Sequence, residues 1–165
     1  MSKEAPISAP VIGTDKLVEF IPVTGVNNPP ALSYATKFSS GIDLRAYFNR
    51  RGERGSVTLY PGQTGVIGTG YKCKIHPNYE IQIRSRGGLA ANSGIFVLNS
   101  PGTVDADYEG EIKVILHNVS PDPFIINHGD RIAQAVLCPI MREQAYMIAE
   151  PKERGEGGFG STGVK

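Results

Sequence analysis

The sequence has almost no excess of either charge and no long apolar run. Its 165 residues include 17 Lys and Arg and 16 Asp and Glu, and the net charge of +1 gives no basic surface of the kind that binds nucleic acid. No apolar run approaches the length of a membrane span, and the segment from Met1 to Pro6 lacks the apolar core of a signal peptide. These absences predict a cytoplasmic protein that binds neither nucleic acid nor a membrane.

Cysteine and histidine are too few and too widely spaced to predict a metal centre. Cys73 and Cys138 each lie in a predicted strand and are more simply explained as reduced core residues than as a disulfide or a metal pair. His76, His117 and His128 lack the spacing that is typical of zinc ligands. The sequence therefore favours neither a zinc site nor a disulfide framework.

Glycine and proline, by contrast, are abundant, with 20 and 12 residues. They separate many short apolar runs, and this pattern favours an all-β domain over a helical one. With 40% hydrophobic residues, the chain is long enough for one domain with a substantial core. We expect a single domain over residues 1–165, with a flexible N-terminal segment at 1–14 and a mobile C-terminal arm at 151–165.

Alternation of apolar and polar residues predicts most of the strands, and it is clearest at Tyr79–Arg84. The segment 85–94, with Leu-Ala-Ala at its centre, is the one plausible short helix. Further strands are predicted at 17–23, 42–47, 56–60, 65–75, 94–98, 111–117, 124–126, 131–138 and 145–148.

A polar stretch at 98–110 connects two apolar runs, is predicted to be a loop or a narrow hairpin, and suits either a turn or a ligand site. Its Asn-Ser-Pro-Gly start is common in turns, and paired aspartates such as Asp105 and Asp107 usually cap, turn or face water. Glycine, however, lets a backbone approach a ligand closely, and Tyr108 adds an aromatic hydroxyl. Taken alone, the stretch favours the turn.

The C-terminal glycines also allow two interpretations. Gly155, Gly157 and Gly160 match the letters of a dinucleotide-binding fingerprint, but the strand and helix of a βαβ unit do not surround them. A Gly-rich terminus is typical of a disordered, solvated segment. The alternative is a lid containing Arg154 and Phe159, because glycine amides can enclose an anion and Arg can pair with phosphate.

Five separated stretches agree with one family. They are SGIDLRA at 40–46, RGGLA at 86–90, NSPGTVDADYEG at 99–110, GDRIAQ at 129–134 and RGEGGFGSTG at 154–163. In order and spacing they resemble the five motifs of the trimeric dUTP diphosphatases (dUTPases). The resemblance implies a distorted jelly-roll-like β-barrel or sandwich, assembled as a homotrimer with shared active sites and with the C-terminal arm crossing to a neighbour.

The resemblance also implies an activity, the hydrolysis of dUTP to dUMP and pyrophosphate with Mg²⁺ as cofactor. Asp105 matches the family's general base, which would take a proton from the water that attacks the α-phosphorus. Because magnesium keeps most of its waters and binds phosphate oxygens, we expect no direct protein ligand to it. Asp43 would contact those waters or hold Arg86, and its plain alternative is a structural salt bridge.

Positions matched to the family would also bind the phosphates. These are the side chains of Arg86, Gln134 and Arg154 and the backbone amides of Gly87 and Gly88. For each of them a surface or packing role is the alternative outside the motif. Fixed donors of this kind are what a triphosphate requires.

Selection of the base and sugar falls, by the same resemblance, to the stretch 98–110 and the arm. Asn99 and backbone groups at Gly102, Thr103 and Val104 would pair with the uracil edge, near Lys113. Tyr108 would leave no room for a 2′-hydroxyl, although a Tyr beside a strand is otherwise more often core. Phe159 would stack over the uracil as the arm closes, with Gly160, Ser161 and Thr162 completing the lid.

Gly87 departs from the family pattern, which has a serine at this position. The hydroxyl of that serine contacts the leaving-group side of the α-phosphate, and loss of such a donor typically costs about 3 kcal/mol of transition-state stabilisation. Ser85 lies two positions away and is not expected to replace it without rearrangement. The change predicts reduced hydrolysis with nucleotide binding retained.

Three hypotheses follow from these residues. The first is an active dUTPase. The second is a dUTP-binding regulatory protein with reduced catalysis, motivated by Gly87. The third is a relative of the dCTP deaminases, which is disfavoured by the Asp105 motif and by the arm that carries Phe159.

Overall fold

The computed structural model describes residues 16–50 and 53–141 of the chain. Strands make up about half of these residues, and there is one short helix among them, which confirms the all-β prediction. In chain order the elements are β1 Val18–Pro22, β2 Ser33–Tyr34, β3 Ile42–Arg45, β4 Asn49–Arg50, β5 Glu53–Arg54, β6 Ser56–Leu59, β7 Thr64–Gly68, β8 Tyr71–Ile75, β9 Tyr79–Arg84, α1 Gly87–Ser93, β10 Ile95–Val97, β11 Gly102–Val104, β12 Lys113–Asn118, β13 Phe124–Asn127 and β14 Arg131–Pro139.

Two sheets form the body of the fold. The larger has the strand order β11-β9-β14-β3-β2, and the smaller has the order β10-β12-β7. The pairs β1-β8, β13-β6 and β4-β5 complete the pairing among the described residues. All of these pairings are antiparallel, as expected for a jelly-roll-like fold and not for βαβ units.

The alternation that predicts the strands also builds the core. On β9 the side chains of Ile81 and Ile83 are 1% and 4% exposed, while Gln82 lies half-buried on the opposite face. Leu44 of the larger sheet and Leu116 of the smaller sheet belong to the same apolar cluster. Each such buried side chain contributes about 2 kcal/mol, so the shared core holds the two sheets together.

The predicted helix is α1, and a glycine ends it. Gly94 has φ of +64°, and its N–H donates to the carbonyl of Ala90 at 3.1 Å. An ideal Cβ at Gly94 would lie 3.0 Å from the backbone nitrogen of Ser120. Only glycine fits both the left-handed conformation and the space, and the chain can therefore turn directly from α1 into β10.

The strand predicted at 65–75 is in fact two strands, β7 and β8, separated by Thr69 and Gly70. Gly70 has φ of +77°, and its ideal Cβ would lie 3.1 Å from side-chain atoms of Pro29 and Tyr47. The chain passes here from the three-stranded sheet to the pairing with β1. The prediction of a single extended strand was wrong, because the glycines mark a turn.

The stretch at 98–110 is not a narrow hairpin. Its flanking strands β10 and β12 pair with each other, whereas β11, inside the stretch, pairs with β9 of the other sheet. The connection therefore spans both sheets. Sequence periodicity does not reveal this, because the pairing partners are distant along the chain.

Several other predictions can be compared with the described residues. Cys73 on β8 and Cys138 on β14 are free thiols; Cys73 is buried, as predicted for a core residue, whereas Cys138 is only partly buried. No described helix is long and apolar enough to cross a membrane. The strand predicted at 145–148, the N-terminal segment 1–14 and the arm at 151–165 lie outside the described residues.

Candidate active site

A buried carboxylate lies between two arginines at one end of the larger sheet. Asp43 on β3 is 6% exposed. Its Oδ1 accepts a hydrogen bond from Nε of Arg86 at 3.0 Å, and its Oδ2 accepts one from Nη1 of Arg131 at 3.2 Å. Nη1 of Arg86 also donates to the backbone carbonyl of Arg131 at 3.2 Å. This group, the Asp43 cluster, pairs one negative charge with two positive ones and is suited to an anion.

Gln134 on β14 adjoins the Asp43 cluster. It pairs with Asp43 on one side and with Arg84 on the other, so these side chains share a face of the sheet. Its Nε2 donates to the carbonyl of Ser85 at 2.9 Å. An ideal Cβ at Gly41 would lie 2.7 Å from Oε1 of Gln134, which explains the glycine at position 41. The structure therefore brings together three of the predicted residues, Asp43, Arg86 and Gln134.

The amides of Gly87 and Gly88 lie at the exposed start of α1, directly after Arg86. An ideal Cβ at either glycine meets no other atom within 4 Å. Neither position has a positive φ. Sterics therefore do not require glycine at position 87.

Ser85 connects this region to the stretch 98–110. Its hydroxyl accepts a hydrogen bond from the N–H of Val97 at 2.9 Å, and its own N–H donates to the hydroxyl of Ser100 at 3.3 Å. Because the Ser85 side chain already holds β10 in place, it is poorly suited to supply the hydroxyl that position 87 lacks. The expectation that Ser85 does not replace a serine there stays a prediction.

The predicted uracil-binding residues surround a tight bend. The Ser100–Pro101 peptide bond is cis, and an ideal Cβ at Gly102 would lie 2.9 Å from Nδ2 of Asn99. Asn99 is exposed, whereas the following β11 alternates, with Thr103 exposed and Val104 only 8% exposed. Gly102 leaves the space in which the Asn99 amide lies against the backbone of β11.

Tyr108 and Asp105 lie just after β11. The hydroxyl of Tyr108 donates to the carbonyl of Glu111 at 2.9 Å, and its ring packs against the core. Asp105 is half-buried, and its carbonyl accepts a hydrogen bond from the N–H of Tyr108 at 3.2 Å. Lys113 is exposed at the start of β12. The segment is a folded turn that holds both side chains.

The sheet register separates Asp105 from the Asp43 cluster. Val104 of β11 pairs with Ile81 of β9, so Asp105 lies about one residue beyond Ile81, whereas Asp43 is at the level of Arg84. From the usual rise per residue and the usual spacing between strands, Asp105 and Asp43 are about 13 Å apart along the strands and about 14 Å apart across them. Within one chain the predicted base is therefore far from the predicted phosphate-binding residues.

Two open cavities lie near these groups. One of about 420 Å³ lies between β8 and the turn that contains Tyr108, and it is lined in part by Lys72, Asp107 and Glu109. The other, of about 380 Å³, is lined in part by Arg45. Neither lining includes Asp105, Arg86 or Gln134.

The carboxylates of the described residues suit an ion held by phosphate and water. No group of three or more His, Cys, Asp or Glu side chains among those residues could hold a metal. Both oxygens of Asp43 accept hydrogen bonds from arginine, yet each retains capacity to accept one from a metal-bound water. A magnesium ion on a nucleotide needs no closer protein ligand.

The comparisons with known proteins identify the family. The family model described as dUTPase matches residues 28–163. The chain belongs to the dUTPase family. The deoxyuridine 5'-triphosphate nucleotidohydrolase of Neorickettsia sennetsu is 52% identical over 135 residues, which are 80% of this chain and 87% of that protein. The protein of the same name from Ehrlichia canis is 43% identical over 92% of this chain and 97% of its own length.

A solved structure shows the fold of this dUTPase-family chain. A mutant dUTPase from phage phi11 of S. aureus has a TM-score of 0.67 at 20% identity, covering 83% of this chain and 99% of its own. It is described as showing the coordination of a structural Mg(II) ion. The predictions of the family, of a hydrolase belonging to it and of a jelly-roll-like fold are confirmed.

Some predicted site residues of the dUTPase motifs lie outside the described residues. They are Arg154, Phe159, Gly160, Ser161 and Thr162. One residue was missed, since Arg131 also binds the carboxylate of Asp43. A signal was available, because Arg131 lies within the same stretch as Gln134, but only the pairing of β14 with β3 shows which way it faces.

Proposed function

We propose that this chain hydrolyses dUTP to dUMP and pyrophosphate, which keeps uracil out of DNA and supplies dUMP for thymidylate synthesis. Its family membership supports the substrate. The observation that carries the proposal is the Asp43 cluster, in which a buried carboxylate fixes Arg86 within a net positive group. Phosphoryl transfer depends mainly on such positioning and electrostatics.

Arg86 binds the phosphates in this proposal. Its guanidinium carries five N–H donors, and the contacts to Asp43 and to the Arg131 carbonyl orient it while leaving donors for phosphate oxygens. Gln134 and the amides of Gly87 and Gly88 lie beside it and add neutral donors. Arg154 of the C-terminal arm adds a second cation when the arm closes.

Asp105 activates the water. Its carboxylate takes one proton from the water while the water oxygen bonds to the α-phosphorus. The bond from that phosphorus to the α–β bridging oxygen breaks, and its electron pair leaves with pyrophosphate. Mg²⁺, when bound with the nucleotide, would supply positive charge for the phosphate oxygens, and Asp43 would accept hydrogen bonds from its waters.

The stretch 98–110 selects the nucleoside. Asn99 and the backbone of β11, Gly102–Val104, pair with the uracil edge, so the amino group of cytosine would meet a donor where it needs an acceptor. Lys113 lies where the backbone approaches the base. Tyr108 packs beneath the deoxyribose and excludes a 2′-hydroxyl, while Phe159 with Gly160, Ser161 and Thr162 closes over the base.

The active sites are shared between subunits of a homotrimer. The distance between Asp105 and the Asp43 cluster within one chain supports this arrangement, because a nucleotide that contacts Asp105 in one chain lies far from the Asp43 cluster of the same chain, including the Asp43 carboxylate that binds Arg86. Two subunits then supply the base and the phosphate-binding groups of each site.

A second function is favoured by one observation, the glycine at position 87. A dUTP-binding regulatory protein would retain the phosphate-binding cluster and lose most of the hydrolysis. The two functions differ in turnover and share the binding step.

One assay distinguishes these functions. The protein is incubated with dUTP, UTP and dCTP in the presence of Mg²⁺, and pyrophosphate and ammonia are followed. Pyrophosphate from dUTP alone supports hydrolysis, whereas tight dUTP binding without turnover supports the regulatory protein. Ammonia from dCTP would contradict both.

The role of Asp105 is tested by Asp105→Asn, which keeps the shape of the side chain and removes its basicity. We expect dUTP to bind with little change and kcat to fall by about a thousandfold. Hydrolysis by the variant at the parent rate would exclude Asp105 as the base.

A further inference from the structure

The ring of Tyr108 is held in an unusually confined place. An ideal Cβ at Gly110 would lie 2.5 Å from the Tyr108 hydroxyl oxygen and 2.6 Å from Cζ. The ring therefore lies directly over the backbone of Gly110, and its hydroxyl donates to the carbonyl of Glu111 at 2.9 Å. Any movement of Glu111 moves the point to which the Tyr108 ring is anchored.

Glu111 is in turn fixed by the turn between β7 and β8. Its Oε1 accepts a hydrogen bond from the N–H of Gly70 at 2.8 Å. An ideal Cβ at Gly68 would lie 2.6 Å from the same Oε1, so the carboxylate lies against the glycine backbone. We call residues 68–70 the Thr69 turn.

The Thr69 turn also holds the residue after Glu111. The hydroxyl of Thr69, which is 1% exposed, donates to the carbonyl of Ile112 at 2.8 Å. The N–H of Ile112 donates to the carbonyl of Tyr71 at 2.8 Å. Three hydrogen bonds therefore clamp Glu111 and Ile112, and water cannot easily replace the buried one.

We propose that the Thr69 turn is a positioning element for Tyr108 and thereby sets how strongly the site rejects ribonucleotides. The inference rests on the proposed function, in which Tyr108 excludes the 2′-hydroxyl. Thr69, Gly70 and Gly110 touch no substrate in this scheme. They fix the position of the Tyr108 ring. The distance between this ring and the sugar decides whether a 2′-hydroxyl fits between them.

A small displacement is enough for this effect. A 2′-hydroxyl adds one oxygen atom, so a shift of the ring of about 1 Å would change the available space substantially, and shifts of that size alter rates by up to about a hundredfold. The Thr69 hydroxyl is the best point of intervention, because it donates the buried hydrogen bond to Ile112 and accepts one from the N–H of Tyr71 at 3.3 Å, the residue whose carbonyl also binds Ile112.

The test compares kcat/KM for dUTP and for UTP in three variants. Thr69→Val keeps the side-chain volume and removes the hydroxyl, and we expect the dUTP-to-UTP ratio to fall about tenfold. Thr69→Ser keeps the hydroxyl and should restore the parent ratio. Thr64→Val is the matched control, because Thr64 is on β7 and its hydroxyl contacts Nδ1 of His117 at 2.9 Å instead.

Action through Tyr108 is tested by a double substitution. In a Tyr108→Ala background, Thr69→Val should leave the ratio unchanged, because the ring that it positions is absent. An equal fall of the ratio in both backgrounds would overturn the proposal. So would a parent ratio in a Thr69→Val protein whose melting curve shows that it is folded.

Two further measurements keep the inference separate from the proposed activity. The affinities for dUMP and UMP, measured by calorimetry, report the same selectivity without hydrolysis. A parent protein that does not hydrolyse dUTP would contradict the proposed function, but its dUMP-to-UMP affinity ratio would still test the role of the Thr69 turn. If Thr69→Val does not fold, Gly110→Ala replaces it, because its methyl group displaces the ring directly. An unchanged dUMP-to-UMP ratio in Gly110→Ala would overturn the proposal.

Discussion

At the scale of single residues, charge placement accounts for the candidate phosphate site. Asp43 is buried, and a buried carboxylate is stable only when it is paired. Two arginines satisfy it, and because only one charge is cancelled the cluster stays positive. The sequence motif predicts Asp43 and Arg86 correctly as neighbours. It does not predict Arg131, because a β-bulge between Arg131 and Ala133 shifts the register there.

The open space at Gly87 leads to a prediction about hydrolysis. Gly87→Ser places a hydroxyl at the start of α1 without a clash, and we expect kcat for dUTP to rise by at least about tenfold with KM little changed. Gly88→Ser is the matched control, since it has the same open space and a similar gain in helix propensity. Equal kcat values in the parent and in Gly87→Ser would show that the missing hydroxyl is not needed.

Cys73 gives a prediction about stability and pH. Burial raises the pKa of its thiol from 9.0 to about 11. In the unfolded chain the thiol ionises near pH 9, so the unfolded state loses protons first and stability falls as the pH rises from 9 to 11. Between pH 8 and pH 10.5 this contribution is about 2 kcal/mol.

The measurement is urea unfolding of the parent and of Cys73→Val at the two pH values. Burial also raises the pKa of Tyr71, which acts in the same direction and is retained in both proteins. The difference between them therefore isolates Cys73. The parent should lose about 2 kcal/mol more than the variant. Parallel losses would mean that the thiol ionises as readily in the folded protein as in the unfolded chain.

At the scale of elements, local patterns predict the strands well and their partners poorly. Alternation identifies β9, where Ile81 and Ile83 are buried between half-buried neighbours, whereas β14 buries adjacent side chains such as Ile132 and Ala133. It does not show that β10 pairs with β12 while β11 pairs with β9, since those choices depend on contacts between distant parts of the chain. The Thr69 turn was missed for a related reason, because a composition rich in glycine does not reveal a positive φ.

One buried side chain joins the ends of two elements. Asn118, at the end of β12, is 0% exposed, and its Nδ2 donates to the carbonyls of Leu59 on β6 and of Asp122. Its Oδ1 accepts hydrogen bonds from the N–H and the hydroxyl of Ser120. Asn118→Ala should therefore lower the free energy of unfolding by about 3 kcal/mol, because buried partners are left without bonds.

Chemical denaturation checks this prediction against Asn127→Ala. Asn127 is exposed, and its side chain makes a long contact of 3.4 Å to Asp130, so its replacement should change stability by less than about 0.5 kcal/mol. Similar effects of the two substitutions would show that the Asn118 bonds do not connect β6 and β12 energetically.

At the scale of the whole molecule, the sheet register and the proposed chemistry demand more than one chain. The water that attacks the α-phosphorus must be within hydrogen-bond reach of Asp105, and Arg86 must reach the adjoining phosphates. A single chain separates Asp105 from Asp43, to which Arg86 is bonded, by about 13 Å along the sheet and about 14 Å across it. The family motifs predict both residues, but only the strand pairing shows that one copy cannot bring them to one nucleotide.

Mixed oligomers test this directly. Asp105→Asn and Arg86→Gln chains carrying different tags are co-expressed, and assemblies that contain both tags are purified. Each variant alone should be nearly inactive. If a site combines Asp105 of one chain with Arg86 of its neighbour, every trimer that contains both variants has both native residues at one of its three sites, so dUTP hydrolysis should return to about a third of the parent rate.

The opposite arrangement gives a different result. If one chain supplied both groups, every chain in the mixture would lack one of them, and no mixture would recover activity. A chain with both substitutions, co-expressed with the parent, is the control, because it leaves intact sites only where two parent chains meet. Recovery in the first mixture requires that the base and the phosphate-binding arginine act from different subunits, as the register implies.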